Sequence, residues 1–317
     1  MLDYPDVESR LQLIRMMRRA APVASAVLVV EGVADQRALF PFLASDVTVL
    51  PVGGKNHVLD IFESLRQQNF PGVLCLVDCD GDIASRLKGQ EGLILSVRRD
   101  MDADLLVELE AYERVILESV ADKVASPGEG RRVARQIVEL AEEVATTFGM
   151  VLRAAQKRKL PVKLLDLEMT VKRRVELRDV DLLVDWLSGS SAIPSVDVAS
   201  RMGTVLHWPE DRIEYVIRDL EQLEDVECKK HFDISCRDCR GRAHANGHSL
   251  IEGICIALRA QYKVQMDRKD LERRVRLAVD PLALSRWEVW RRMSFWQASF
   301  KYSLLAGLSA RMESNEE

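Results

Sequence analysis

Four short apolar runs punctuate the first 100 residues, and they constrain the fold more than any other feature of the chain. Ala26–Val30, Val47–Val52, Val73–Val77 and Leu93–Val97 are rich in valine and leucine, as suits strands buried on both faces. Between them lie helical patterns. Ala34–Leu43 is one, and His57–Leu65 places Val58, Leu59, Ile61, Phe62 and Leu65 on one stripe. Strands separated by helices pair in parallel through right-handed crossovers. Their carboxyl ends then share one edge, and working residues sit beyond that edge.

After about Glu108 the pattern turns helical. Helices are expected over Glu129–Leu152, in two pieces of Ser195–Leu223 around "HWPEDR", and over Ser249–Tyr262, Asp267–Val279 and Leu284–Leu305. Ser188–Ser195 is the best boundary inside that half. The expected division is an α/β catalytic domain over 1–125, a helical region over 126–225 and a basic helical region over 226–317. Charge divides the same way. Residues 1–125 hold 13 Lys and Arg against 20 Asp and Glu, whereas residues 226–312 hold 17 against 9. An acidic front and a basic back can serve one site, the first holding metal and the second phosphate. No apolar run approaches the roughly 20 residues that span a bilayer, and no signal-peptide core opens the chain. The expectation is a cytoplasmic protein, with no membrane partner and with its six cysteines as thiols.

The residues that follow the strands are acidic. Glu31 follows the first, with Asp35 four positions on. "DCDGD" follows the third and supplies Asp78, Asp80 and Asp82, and "RRDMDADLL" after the fourth supplies Asp100, Asp102 and Asp104. The second strand ends in Gly53-Gly54-Lys55. So many carboxylates at one edge repel one another unless a cation intervenes, and all-oxygen ligands select Mg²⁺, Mn²⁺ or Ca²⁺. In an extended chain Asp78 and Asp80 point the same way. Lys55, with the backbone N–H groups of the helix start behind it, suits a phosphate. "VGGKN" lacks the spacing and the Ser/Thr of a P-loop.

Glu31-Gly32 followed by Asp78-Cys79-Asp80 resembles the TOPRIM domain, found in topoisomerases, primases, maturation ribonucleases and OLD-type nucleases. The ordered set "VEG", "GGKNHVLDIFESL", "LVDCDGD" and "NGHSL" resembles the DUF4435 and OLD-like group, in which TOPRIM joins a helical tail. The resemblance covers about Ala26–Leu106 and Asn246–Leu258. It implies a Rossmann-like N-terminal domain and a metal site of Glu31, Asp35, Asp78, Asp80, Asp102 and Asp104, with Glu31, Asp78, Asp80 and Lys55 catalytic. The group's usual D-x-E is Asp102-Ala103-Asp104 here, whose second acid is one methylene shorter. The group includes the effector subunit of the PARIS phage-defence system. The resemblance therefore implies a Mg²⁺- or Mn²⁺-dependent nuclease effector, cutting tRNA and restrained by an ABC-type ATPase. The alternatives are an OLD-like DNA endonuclease and a catalytically silent binding module.

Other features admit two readings each. Arg273, Arg274 and Arg276 on one predicted helix, and Arg291 and Arg292 on the next, suit a nucleic-acid track or ordinary solvated faces. Cys228, His231, Cys236 and Cys239 suit a zinc site, although a single C-x-x-C favours reduced thiols in a basic loop. Asn246 or His248 of "NGH" could reach the acids, or cap a helix with Ser249. Trp287, Trp290 and Trp296 suit a core or a homodimer interface better than base stacking. The Ser195–Leu223 pair has the outline of a helix-turn-helix reader.

Overall fold

A computed structural model describes residues 6–20, 22, 24–79, 89–160, 195–205, 208–230 and 247–306. The chain forms two compact units, residues 1–101 with 280–317, and residues 102–279. These limits differ from the division read along the sequence, because the C-terminal stretch returns to the sheet.

The first unit is built on four parallel strands, β1 (Val27–Val30), β2 (Thr48–Pro51), β3 (Val73–Val77) and β4 (Leu93–Leu95), in the order β2-β1-β3-β4. Every residue of β1, β3 and β4 is buried, as expected of valine- and leucine-rich runs covered on both faces. Of the two edge strands, β2 is half-buried, whereas β4 is covered by the Glu288–Phe300 helix. One face of the sheet packs Val27, Val29, Val73, Cys75 and Val77 against α1 (Val7–Ala20) and α3 (Lys55–Gln67). Leu11, Ile14, Ile61 and Phe62 come from those helices. Burying each such side chain contributes roughly 1.5–3 kcal/mol. α2 (Val33–Leu39) packs against β1 and β2. α1 was not anticipated, because its apolar positions are thinly spread among charges.

The C-terminal stretch completes this unit. Ser303 bridges to Ser25 and Leu305 to Leu43, while Gln297 Oε1 accepts from the Leu304 and Leu305 N–H groups at 2.9 and 2.7 Å. The expected helix over Leu284–Leu305 is interrupted. Pro281–Leu284 makes one turn, and the long helix is Glu288–Phe300, ending at Lys301 with a φ of 58°. Trp287, Trp290 and Trp296 are all buried here, and Trp290 meets Phe42 edge-on.

The second unit is helical: α4 (Ala111–Val120), α5 (Pro127–Lys157), α6 (Ser195–Val205), α7 (Glu210–Lys230), α8 (Gly247–Tyr262) and α9 (Arg268–Ala278). α5 starts where Ser126 accepts the Glu129 N–H at 3.2 Å with Pro127 in the first turn. It packs against α4, α6, α7 and α8. Its C-terminal half shares a core with α6 and α7, through Phe148, Val151, Met202, Trp208, Val216 and Leu220. Among the described residues no helix is long and apolar enough to cross a membrane.

Candidate functional site

The strand order fixes where a ligand can sit. From β1 the chain moves to β2 on one side, then returns across β1 to β3 on the other. The connections leaving β1 and β3 therefore diverge, and the region beyond their carboxyl ends is the switch point at which open α/β sheets bind ligands. The first residues past those two ends are Glu31 and Asp78.

They are joined directly. The Asp78 N–H donates to Glu31 Oε1 at 2.7 Å. Asp78 Oδ1 accepts the Met101 N–H at 3.1 Å, and the Lys55 ammonium donates to the Asp78 carbonyl. The Glu31 carbonyl accepts from both Gly53 N–H (2.8 Å) and Gly54 N–H (2.9 Å). Gly53 and Gly54 have φ of 83° and 127°, which a side chain would resist, so the glycine pair is what turns the β2 exit toward β1. Lys55 then opens α3 beside Asp78. Glu31, Lys55 and Asp78 are all half-buried. Of the acids read as site members, Glu31 and Asp78 lie together here, with Lys55 beside them.

Other residues read as site members have different surroundings. Asp35 sits in the first turn of α2, and its Oδ2 accepts the Gly32 N–H at 2.8 Å, a capping role. Asp102 and Asp104 belong to the helical unit. Asp102 Oδ1 accepts from Arg276 at 2.9 Å, so an acid read as a metal ligand and an arginine read as a phosphate contact engage each other. Asp104 is fully buried in a π-helical turn, Asp104–Glu108. Arg273 and Arg274 both pair with Asp270, and Arg274 also approaches Glu118 at 3.5 Å. Arg291 and Arg292 pair with Glu288 at 2.7 and 2.9 Å, and they lie in the other unit from Arg273. His248 is exposed, with Nδ1 3.5 Å from Glu272.

Asp80, Asp82, His231, Cys236, Cys239 and Asn246 lie outside the described residues, as does the side chain of Cys228. Cys75, Cys79 and Cys255 are free thiols. Burial pushes the Cys75 thiol up to about 12, which leaves it an inert core group.

The donors at the strand tips fit a hard divalent cation in kind: carboxylate oxygens from neighbouring strands, with a carboxylate accepting at about four positions. Among the described residues no three His, Cys, Asp or Glu side chains gather as a ready-made metal site. Sequence reasoning missed Ser96. It is buried, its Oγ accepts the Cys79 N–H at 2.8 Å, and it donates to the Arg98 carbonyl at 2.7 Å. A lone serine after a strand carries no signal that would single it out. Comparison with protein-family models, curated proteins and solved structures finds no match. The fold and site define an α/β protein with a four-stranded parallel sheet, compatible with a Rossmann-like fold, with Glu31 and Asp78 at its switch point.

Proposed function

We propose that the protein is a metal-dependent phosphodiesterase of TOPRIM type, a nuclease acting as a defence effector on RNA, with tRNA the favoured substrate and an ABC-type ATPase its partner. The observation that supports it is the meeting of Glu31 and Asp78 at the switch point, with the Lys55 ammonium beside them. Glu31 and Asp78, with Asp80, would hold Mg²⁺ or Mn²⁺. The chemistry a bound divalent ion supplies there is polarisation of a phosphoryl oxygen and activation of water. Glu31 would accept a proton at its carboxylate. Lys55 would exchange the Asp78 carbonyl for a phosphate oxygen, next to the N-terminus of α3, whose dipole favours the same charge.

The test is cleavage of tRNA and of plasmid DNA, with Mg²⁺, Mn²⁺ or EDTA, by the native chain and by Asp78→Asn, repeated with the ATPase partner. Metal-dependent loss of tRNA supports the reading. Loss of plasmid alone moves it to an OLD-like DNA endonuclease. A second reading, a silent module that binds without cutting, is favoured by the engagement of Asp102 with Arg276, which occupies one acid of the family pattern. Nucleic-acid binding without cleavage under all these conditions would select it.

A further inference from the structure

The backbone around Asp78 is held on both sides. The peptide before it is fixed through its N–H on Glu31. The peptide after it is gripped on both edges, the Asp78 carbonyl by Lys55 and the Cys79 N–H by Ser96 Oγ at 2.8 Å. Rotation about the bond between the Asp78 Cα and its carbonyl carbon would break both of the latter contacts together. These two planes set the direction of the Asp78 Cα–Cβ bond, and the Met101 N–H, donating to Oδ1 at 3.1 Å, holds the carboxylate that it carries.

Ser96 occupies an exact place in this network. Its N–H donates to the Val77 carbonyl at 3.0 Å and carries the β3–β4 ladder one residue past the strands. Its hydroxyl accepts from Cys79 and donates to the Arg98 carbonyl, so one oxygen ties the exit of β3 to the exit of β4. Ser96 is 3% exposed, and an alanine there would remove both bonds of its hydroxyl at once.

We propose that Ser96 is a positioning residue for the strand-tip site: its hydroxyl locks the Asp78–Cys79 peptide and thereby fixes the backbone from which the Asp78 carboxylate would reach a bound divalent cation. The proposal rests on the metal reading of the site. Partners of this kind change metal affinity without touching the metal, by about 10–100-fold when removed.

The experiment measures Mn²⁺ affinity of the intact chain by titration calorimetry, beside its melting temperature in EDTA and hydrogen exchange of the Cys79 amide. Ser96→Ala is expected to weaken Mn²⁺ by about 10–100-fold and to speed exchange at Cys79. Ser96→Thr, which keeps the hydroxyl, is expected to restore both. Should Ser96→Ala fail to fold, Ser96→Cys, with a weak donor and acceptor, is expected to fall between. Mn²⁺ affinity equal to the native value in a folded Ser96→Ala, or in a folded Ser96→Cys, overturns the proposal and leaves the metal reading standing. A weakening that Ser96→Thr does not relieve also overturns it. No Mn²⁺ binding by the native chain overturns the metal reading and the proposal with it.

Discussion

Glu31 is both a tie and a charge, and two substitutions separate the roles. In Glu31→Ala the Asp78 N–H loses its acceptor, a 2.7 Å bond to a carboxylate. Bonds to charged groups contribute about 1.5–3 kcal/mol when buried. Glu31 is half-buried, so water recovers part of this and the expected loss is about 1–2 kcal/mol. In Glu31→Gln the amide oxygen keeps the bond. It forfeits charge assistance but also relieves repulsion with Asp78, about 1 kcal/mol for close charges in water. The net change should lie within about 1 kcal/mol of the native chain. The assay is amide hydrogen exchange of β1 and β3 in EDTA, which reports this unit alone. Exchange in Glu31→Ala should be about 5–30 times faster than in the native chain, the rate equivalent of about 1–2 kcal/mol, and faster than in Glu31→Gln. Both variants should lose Mn²⁺ affinity, since both lose the charge. Identical exchange in the two would refute the tie, and the carboxylate would then serve the cation alone.

Three further outcomes follow from the geometry. Asp219, 3% exposed, accepts two 2.6 Å bonds from Arg158, and this pairing holds its carboxyl below the usual range. Its stabilisation is therefore full above the unfolded value, near 3.9, and is lost as pH falls through the depressed folded value. Asp219→Asn should destabilise the helical unit by about 2–3 kcal/mol at pH 7, with a gap to the native chain that closes in acid; urea titrations read by exchange in α7 would expose a gap that stays constant to pH 2, contrary to this account. Gly72 has a φ of 76°, and an added Cβ would lie 2.6 Å from Arg18 Nε, whose guanidinium also stacks over Tyr302. Gly72→Ala should cost about 1–3 kcal/mol, and a melting temperature unchanged from native would count against it. Asp102→Asn and Arg276→Ala should be non-additive, with a coupling of about 0.5–3 kcal/mol in a double-mutant cycle; strictly additive losses would mean that the 2.9 Å contact contributes nothing.

Much of the sheet was legible in the sequence because its signals are local. Valine- and leucine-rich runs of five or six residues, two of them bounded by Gly53-Gly54 and Gly72, hide their backbones well as neighbouring strands, and the observed strands fall inside the expected runs. The acids at the strand tips were legible for the same reason: parallel pairing brings every carboxyl end to one edge whatever the strand order. Helices of the second unit were legible through their period, with boundaries off by a few residues where caps such as Ser126 and Asp267 set the start.

Tertiary structure decided what depends on partners distant in the chain. The order β2-β1-β3-β4, which makes Glu31 and Asp78 the two sides of a switch point, is set by crossovers that no single segment encodes. The return of residues 280–306 to the sheet rests on backbone bonds from Ser303 and Leu305 to segments some 260–280 positions earlier. Charge is ambiguous for the same reason. An arginine in a sequence reads alike as a phosphate contact or a salt-bridge partner, and only the fold put Asp102 within 2.9 Å of Arg276. Ser96 is the plainest instance: its chemistry is ordinary, and its place between the exits of β3 and β4 exists only once the strands are paired.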